Sequence, residues 1–99
     1  MNIQYNEYMP TIEQIKAWIL NKMKRKRWIG GRHTDIKNVR KGAPQNFYDQ
    51  IDDSIKELIK EGTIILKITE YGKHVSLNPK LIKEINEFVQ KHYTEKVFK

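Results

Sequence analysis

The first strong pattern in the chain is a helical repeat of apolar residues that begins after Pro10. Thr11 and Gln14 have the spacing of a capping box, in which a hydroxyl and an amide satisfy free backbone N–H groups at a helix start. The apolar residues then recur at steps of three and four, as on one face of a helix: Ile12, Ile15, Trp18, Ile19 and Met23. The pattern predicts a first helix from Thr11 to about Lys26.

A second, shorter helix is predicted after the glycine pair Gly30-Gly31, which favours a turning or extended backbone. His33 is expected to pair in a short strand, and Thr34 to cap a helix from Asp35 to about Lys41. Gly42 is the expected stop for that helix.

A third helix is predicted from Pro44, which suits a first helical turn, to about Glu61, with Gly62 ending it. Its apolar stripe is regular: Phe47, Ile51, Ile55, Leu58 and Ile59.

The apolar period then changes from helical to alternating, which predicts a β-hairpin. Ile64, Leu66 and Ile68 share one face of the first strand, and the segment Glu70–Lys73 has the residues of a tight turn. Asn78 and Pro79 then predict the cap and first position of a fourth helix, whose apolar residues are Leu81, Ile82, Ile85, Phe88 and Val89.

Length and composition predict one domain without covalent cross-links. The chain has 99 residues and no cysteine, which excludes disulfides, thiolate nucleophiles and thiolate zinc sites. We divide it into an N-terminal arm (residues 1–10), a folded core (11–93) and a tail (94–99) that we expect to fray. No apolar run is long enough for a membrane span and no export signal is visible, so we expect a cytoplasmic protein, nucleoid-associated if it binds DNA.

Positive charge is concentrated in one fifth of the chain. The segment Lys22–Lys41, called the basic segment below, has nine basic residues and one acid, a net charge of +8, whereas the rest of the chain carries −1. Such a block indicates a polyanionic partner, with nucleic acid favoured over an anionic membrane surface. The alternative is that the basic segment is a solvated helix end that binds no partner.

The order of elements resembles the winged helix-turn-helix family. The most specific part is Leu58-Ile59-Lys60-Glu61-Gly62-Thr63-Ile64-Ile65, which is similar to the way these domains leave the recognition helix and enter the wing. Arg32-His33-Thr34 is similar to the family's short strand and helix cap, and the isoleucine- and lysine-rich composition to small archaeal or archaeal-virus members. The expected fold is α+β, with three core helices, a short strand, a two-stranded wing and an additional C-terminal helix.

The resemblance implies binding of double-stranded DNA, with the third helix in the major groove and the wing on the backbone or minor groove. Side chains near the start of the third helix are the candidates for reading bases: Gln45, Asn46, Asp49 and Gln50. Phosphate contacts are expected from the basic segment: Arg25, Lys26, Arg27, Arg32, Lys37, Arg40 and Lys41. The wing adds Lys67, Tyr71, Lys73 and His74.

One feature of the third helix opposes this interpretation. Asp49, Asp53 and Glu57 are spaced four apart and predict an acidic ridge on the face that carries the candidate base readers. Such a ridge repels phosphate beyond the first helical turn.

The expected state on DNA is a homodimer, because two-fold symmetry doubles the contacts of a small domain. Its contacts are expected from the first and fourth helices or from the arm with Tyr5 and Tyr8. If about five phosphates are neutralised, log K falls with log salt at a slope of about −4.5.

Enzymatic and metal-dependent functions find no support in the sequence. His33, His74 and His92 are isolated, Ser54 and Ser76 lack the context of a nucleophile, and no glycine-rich phosphate loop is present. We therefore expect no metal, no cofactor and no catalysis. Trp28 is compatible with either a core position or a base contact.

The alternative function is a winged-helix module that binds protein or RNA without specific DNA readout. A common face for the basic segment and the start of the third helix would favour DNA, whereas opposite faces would favour this alternative.

Overall fold

Helix α1, Ile12–Arg25, is the first element of residues 9–98, the part of the chain that the computed structural model describes. The predicted capping box is present: the Gln14 backbone N–H donates to Thr11 Oγ1, and the Thr11 backbone N–H donates to Gln14 Oε1, each at 3.0 Å. The prediction of this helix is confirmed.

The next elements lie slightly later than the sequence predicts. Strand β1 is Thr34–Asp35, and helix α2 is only Lys37–Arg40. Thr34 is not the cap: it is buried in the sheet opposite Val75, and the Lys37 backbone N–H donates to Asp35 Oδ1 at 2.8 Å. Ile36 is the N-cap position of α2, and the Asp35 carboxylate just before it accepts from the first backbone N–H of the helix.

The predicted third helix is divided into two parts. Gln45–Phe47 form a 3-10 turn after Pro44, and helix α3 runs from Tyr48 to Lys60. The hydrogen bond from the Phe47 backbone N–H to Pro44 O, at 3.0 Å, closes that turn.

Strands β2 (Ile64–Thr69) and β3 (Gly72–Leu77) form the predicted hairpin, and Gly72 has a φ of 127°, which favours glycine. The antiparallel sheet has the order β1-β3-β2. Of the apolar face predicted for β2, only Ile64 is buried, whereas Leu66 and Ile68, farther along this edge strand, are exposed.

Asn78 caps the last helical region, with its Oδ1 accepting from the Lys80 backbone N–H at 3.0 Å. A 3-10 turn, Pro79–Leu81, leads into helix α4, Ile82–His92. The segment after α4 differs from the expected frayed tail: Val97 is 2% exposed, and the Phe98 ring packs on those of Trp18 and Phe47, with centroids 5.1 and 4.9 Å apart.

The fold is thus a mixed α+β domain with one core. In the described residues, the apolar faces of α1, α3 and α4 meet the base of the sheet, and the buried side chains are continuous. Residues 1–8 of the predicted arm lie outside the described residues.

Candidate nucleic-acid interface

Cationic side chains from three elements surround one surface hollow, called the cationic hollow below. Its volume is about 260 Å³, and Lys37 and Arg40 of α2, Lys56 of α3 and Lys73 of β3 line it. Ile36 and Asp52 complete the lining. Four cations against one carboxylate give this hollow a strongly positive character, suited to a phosphate group.

Arg40 is held in place at the wall of the cationic hollow. Its Nη1 donates to Asp52 Oδ2 at 2.8 Å, and its guanidinium lies over the Tyr48 ring at 4.6 Å. A guanidinium has five N–H donors, so this contact leaves others for a ligand. Tyr48 is the first residue of α3, so the hollow adjoins the start of that helix.

The three lysines of the hollow are exposed, and within residues 9–98 they form no ion pair. Lys56 was missing from the sequence prediction. Its position four residues after Asp52 places both on one flank of α3, and this spacing was the available signal.

A second hollow, of about 210 Å³, lies where the first and last residues of the basic segment meet. Lys26, Lys41 and the half-buried Trp28 line it, together with Lys22 and Asn38. Trp28 also packs against the core. Arg25, Arg27 and Arg32 are exposed on the surface. The basic segment is therefore distributed over two hollows and their surroundings.

Lys22 belongs to the basic segment but is buried, and its ammonium group donates to the backbone oxygens of Asn38, at 2.9 Å, and Lys41. Burial, assisted by the charges of Lys26, Arg25 and Lys41, lowers the pKa of Lys22 to about 8. This lysine ties α1 to the end of α2.

The four candidate base readers do not form one row on a helix. Gln45 and Asn46 are exposed in the 3-10 turn, and Asp49 is exposed in the first turn of α3. Gln50 lines a third hollow with Met9 and Ile12, separate from the cationic hollow. The prediction that Gln45 and Asn46 belong to the third helix is wrong, because these residues form the tighter 3-10 turn that precedes α3.

The predicted acidic ridge on α3 is interrupted by α1. Lys16 Nζ lies 2.8 Å from Glu57 Oε1 and 3.3 Å from Glu61 Oε2. Burial acts to lower the pKa of Lys16, but the two carboxylates outweigh it and raise the pKa. The hydrogen bond and charge of Lys16 in turn lower the pKa of Glu57. Lys16 thus compensates part of the negative charge of Glu57. Asp49 and Asp53 remain exposed.

The hairpin residues differ in what they offer a ligand. Lys67 is exposed, Tyr71 at the tip is 85% exposed, and Lys73 belongs to the cationic hollow. His74 is half-buried, and its Nδ1 lies 2.8 Å from His33 Nδ1. The two histidines are therefore paired and not isolated as we expected, and His74 is the least available of the four predicted hairpin contacts.

The described residues contain no group of three or more histidine or carboxylate side chains that could hold a metal ion. Between Met9 and Phe98, none of the helices combines the length and the apolar character that crossing a bilayer requires. No protein-family model, curated protein or solved structure matches this chain.

Proposed function

We propose that this chain is a winged helix-turn-helix domain that binds double-stranded DNA, with the β2–β3 hairpin as its wing. The order of elements supports the fold. The single observation that carries the function is the cationic hollow, because α2, α3 and the hairpin each contribute a cation to it. These are the elements that contact duplex DNA in this family's docking geometry.

Phosphate contacts dominate the proposed mode of binding. A backbone phosphate enters the cationic hollow, where Arg40, already oriented by Asp52, supplies directed N–H donors. Lys26 and Lys41 at the second hollow neutralise a neighbouring part of the backbone. Such contacts give affinity and orientation without sequence choice.

Sequence choice in this proposal comes from the exposed amides at the start of α3. Gln45 and Asn46 reach base edges from the 3-10 turn, and adenine N6 and N7 are the natural partners of such amides. Because the exposed side chains of Asp49 and Asp53 repel phosphate, only the beginning of α3 approaches the bases, whereas the flank of α3 that carries Lys56 faces the DNA backbone. A role in transcription regulation follows from sequence-dependent binding of this kind.

The test is a binding titration of a fluorescent DNA duplex with Lys56→Glu/Lys73→Glu. We expect this variant to bind at least about ten-fold more weakly, since two phosphate contacts become repulsive. Lys83→Glu is the matched control: Lys83 is exposed on α4, outside the residues that line the cationic hollow, and it should change binding much less. Equal losses of duplex affinity in the two variants, or no binding by the wild type, would refute the proposal.

One observation favours the alternative of a protein-binding module. Met9 and Ile12 are exposed apolar residues that line the third hollow beside Asp53, a surface with the character of a contact for a basic, partly apolar protein. Under this alternative, Ile12→Ser abolishes partner binding and the hollow variants leave it intact.

A further inference from the structure

Strand β2 is an open edge of the sheet. In the order β1-β3-β2, its six residues pair with β3 alone, without interruption from the pair Ile64↔Leu77 to the pair Thr69↔Gly72. The strand has no proline and no bulge. A proline or a bulge usually protects an edge from pairing with another strand, so β2 lacks this protection.

The register shows which backbone groups of β2 point outward. The Asn78 backbone N–H donates to Thr63 O at 3.0 Å, one step before the pair Ile64↔Leu77. Antiparallel pairs alternate between bonded and non-bonded, so Ile65, Lys67 and Thr69 bond to β3. The N–H and C=O groups of the other three residues therefore face away from β3: Ile64, Leu66 and Ile68.

The far side of β3 agrees with this alternation. The Leu77 backbone N–H donates to Trp28 O at 2.8 Å, and Leu77 O accepts from the Gly30 backbone N–H at 2.9 Å. Both groups of Leu77 thus point away from β2, as required of the residue opposite Ile64.

The side chains of the edge are apolar as well. Ile65, Leu66 and Ile68 are 41%, 38% and 67% exposed, and Lys67 is the one charged residue of β2. Unpaired backbone groups beside exposed aliphatic side chains form a surface that another strand would cover.

We propose that two copies of this chain pair antiparallel along β2, with Leu66 opposite Leu66 of the second copy. The two-fold axis is perpendicular to the sheet, so opposite residues belong to the same face. In this register Ile64 lies opposite Ile68 of the second copy. The outward backbone groups of all three residues are then used, in about six hydrogen bonds.

The neighbouring register shifted toward the hairpin turn is less favourable. A shift that places Lys67 opposite Lys67 of the second copy sets like charges together and leaves Ile64 without an apolar partner. In the proposed register Lys67 lies opposite Ile65, which the aliphatic part of the lysine covers. Strand β2 is therefore complementary to itself, which argues for a second copy over a different protein.

The proposed dimer is a six-stranded sheet. Because its axis is perpendicular to the sheet, the face of β3 that carries Lys73 is on the same side in both copies, and so are the two cationic hollows. The pairing does not depend on DNA. It also replaces α1 and α4 as the predicted dimer contact, since most of the apolar residues of these helices pack within one copy.

Sedimentation equilibrium of the full chain without nucleic acid, from micromolar to millimolar concentration, tests the dimer. We expect a mass of two subunits for the wild type and of one subunit for Ile68→Lys, which places a charge in both Ile64–Ile68 pairs. Ile12→Lys changes an isoleucine outside the sheet that is also largely exposed, at 57% against 67% for Ile68, and should remain dimeric. A monomeric wild type, a larger assembly, or equal behaviour of the two variants contradicts the proposal.

Cysteine cross-linking tests the register, and the natural chain has no cysteine to interfere. In Leu66→Cys the two Cα atoms lie about 5.5 Å apart, within the range of a disulfide. In Lys67→Cys they lie about 7–8 Å apart on a diagonal. We expect rapid formation of a disulfide-linked dimer only for Leu66→Cys, and equal or faster cross-linking of Lys67→Cys would overturn the register.

Discussion

Lys22 is a buried ammonium group that holds α2 against α1 through two backbone carbonyls. Lys22→Met leaves those carbonyls without their donor, and we expect the free energy of unfolding to fall by about 1–3 kcal/mol. Urea denaturation measures this. Lys24→Met is the control: Lys24 donates to Asn86 at the surface, so its loss should cost no more than about 0.5 kcal/mol.

The same lysine predicts a pH dependence. The pKa of Lys22 is about 8 in the folded chain and near the ordinary lysine value of 10.5 when unfolded. Between these values the unfolded chain binds more protons, so the free energy of unfolding rises with pH through this window. The stability gap between wild type and Lys22→Met should therefore widen from pH 8 to 10.5. A stability gap that stays constant or narrows over this pH range contradicts the prediction.

Arg27 keeps a positive charge at a position that favours glycine. Its φ is 62°, and the hydrogen bonds from Arg27 N–H to Lys24 O and from Trp28 N–H to Met23 O end α1 as a Schellman motif. Arg27→Gly should raise the free energy of unfolding by about 0.5–1 kcal/mol and at the same time weaken duplex binding. Stabilisation without weaker binding would remove Arg27 from the proposed interface.

Caps were predictable from the sequence where side chain and backbone are neighbours, as for Thr11 with Gln14 and for Asn78. The environment of each lysine side chain was not predictable. Lys22 and Lys24 are two residues apart, yet one is buried and the other is hydrogen-bonded at the surface. A long side chain reaches several environments from one backbone position, so its partner depends on tertiary packing.

At the scale of elements, the C-terminal segment is part of the core. Phe98 contacts Trp18 of α1 and Phe47 before α3, and thus joins parts of the chain that are distant in sequence. Phe98→Ala should lower the free energy of unfolding by about 1–3 kcal/mol, less than for a fully buried phenylalanine. Thermal denaturation measures this loss, with Lys96→Ala as the control because Lys96 is exposed. Equal stability of the two variants would mean that the segment frays.

Helix α3 and the hairpin show why elements were easier to predict than their surroundings. The apolar stripe through Ile51, Ile55 and Leu58 is regular and gives a correct helix. The 3-10 turn before it has the same local composition as a helix start, so Gln45 and Asn46 were assigned to the helix itself. Likewise, alternation predicts a strand at β2 but does not reveal that the sheet ends there.

At the scale of the whole molecule, the net charge of +7 separates into surfaces of different character. Cations of α2, α3 and β3 meet in the cationic hollow, whereas Glu57 and Glu61 are drawn to Lys16 on another side of α3. The sequence predicted the excess of positive charge and most of the residues that carry it. It did not predict which of them converge, because α2, α3 and β3 come together only in the folded domain.

The salt dependence of binding to a DNA duplex tests the central claim most directly. For about five neutralised phosphates, log K falls with log salt at a slope of about −4.5, and Lys56→Gln/Lys73→Gln should bring the slope about 1.8 closer to zero. A wild-type slope near zero, or an unchanged slope in the variant, would contradict the account.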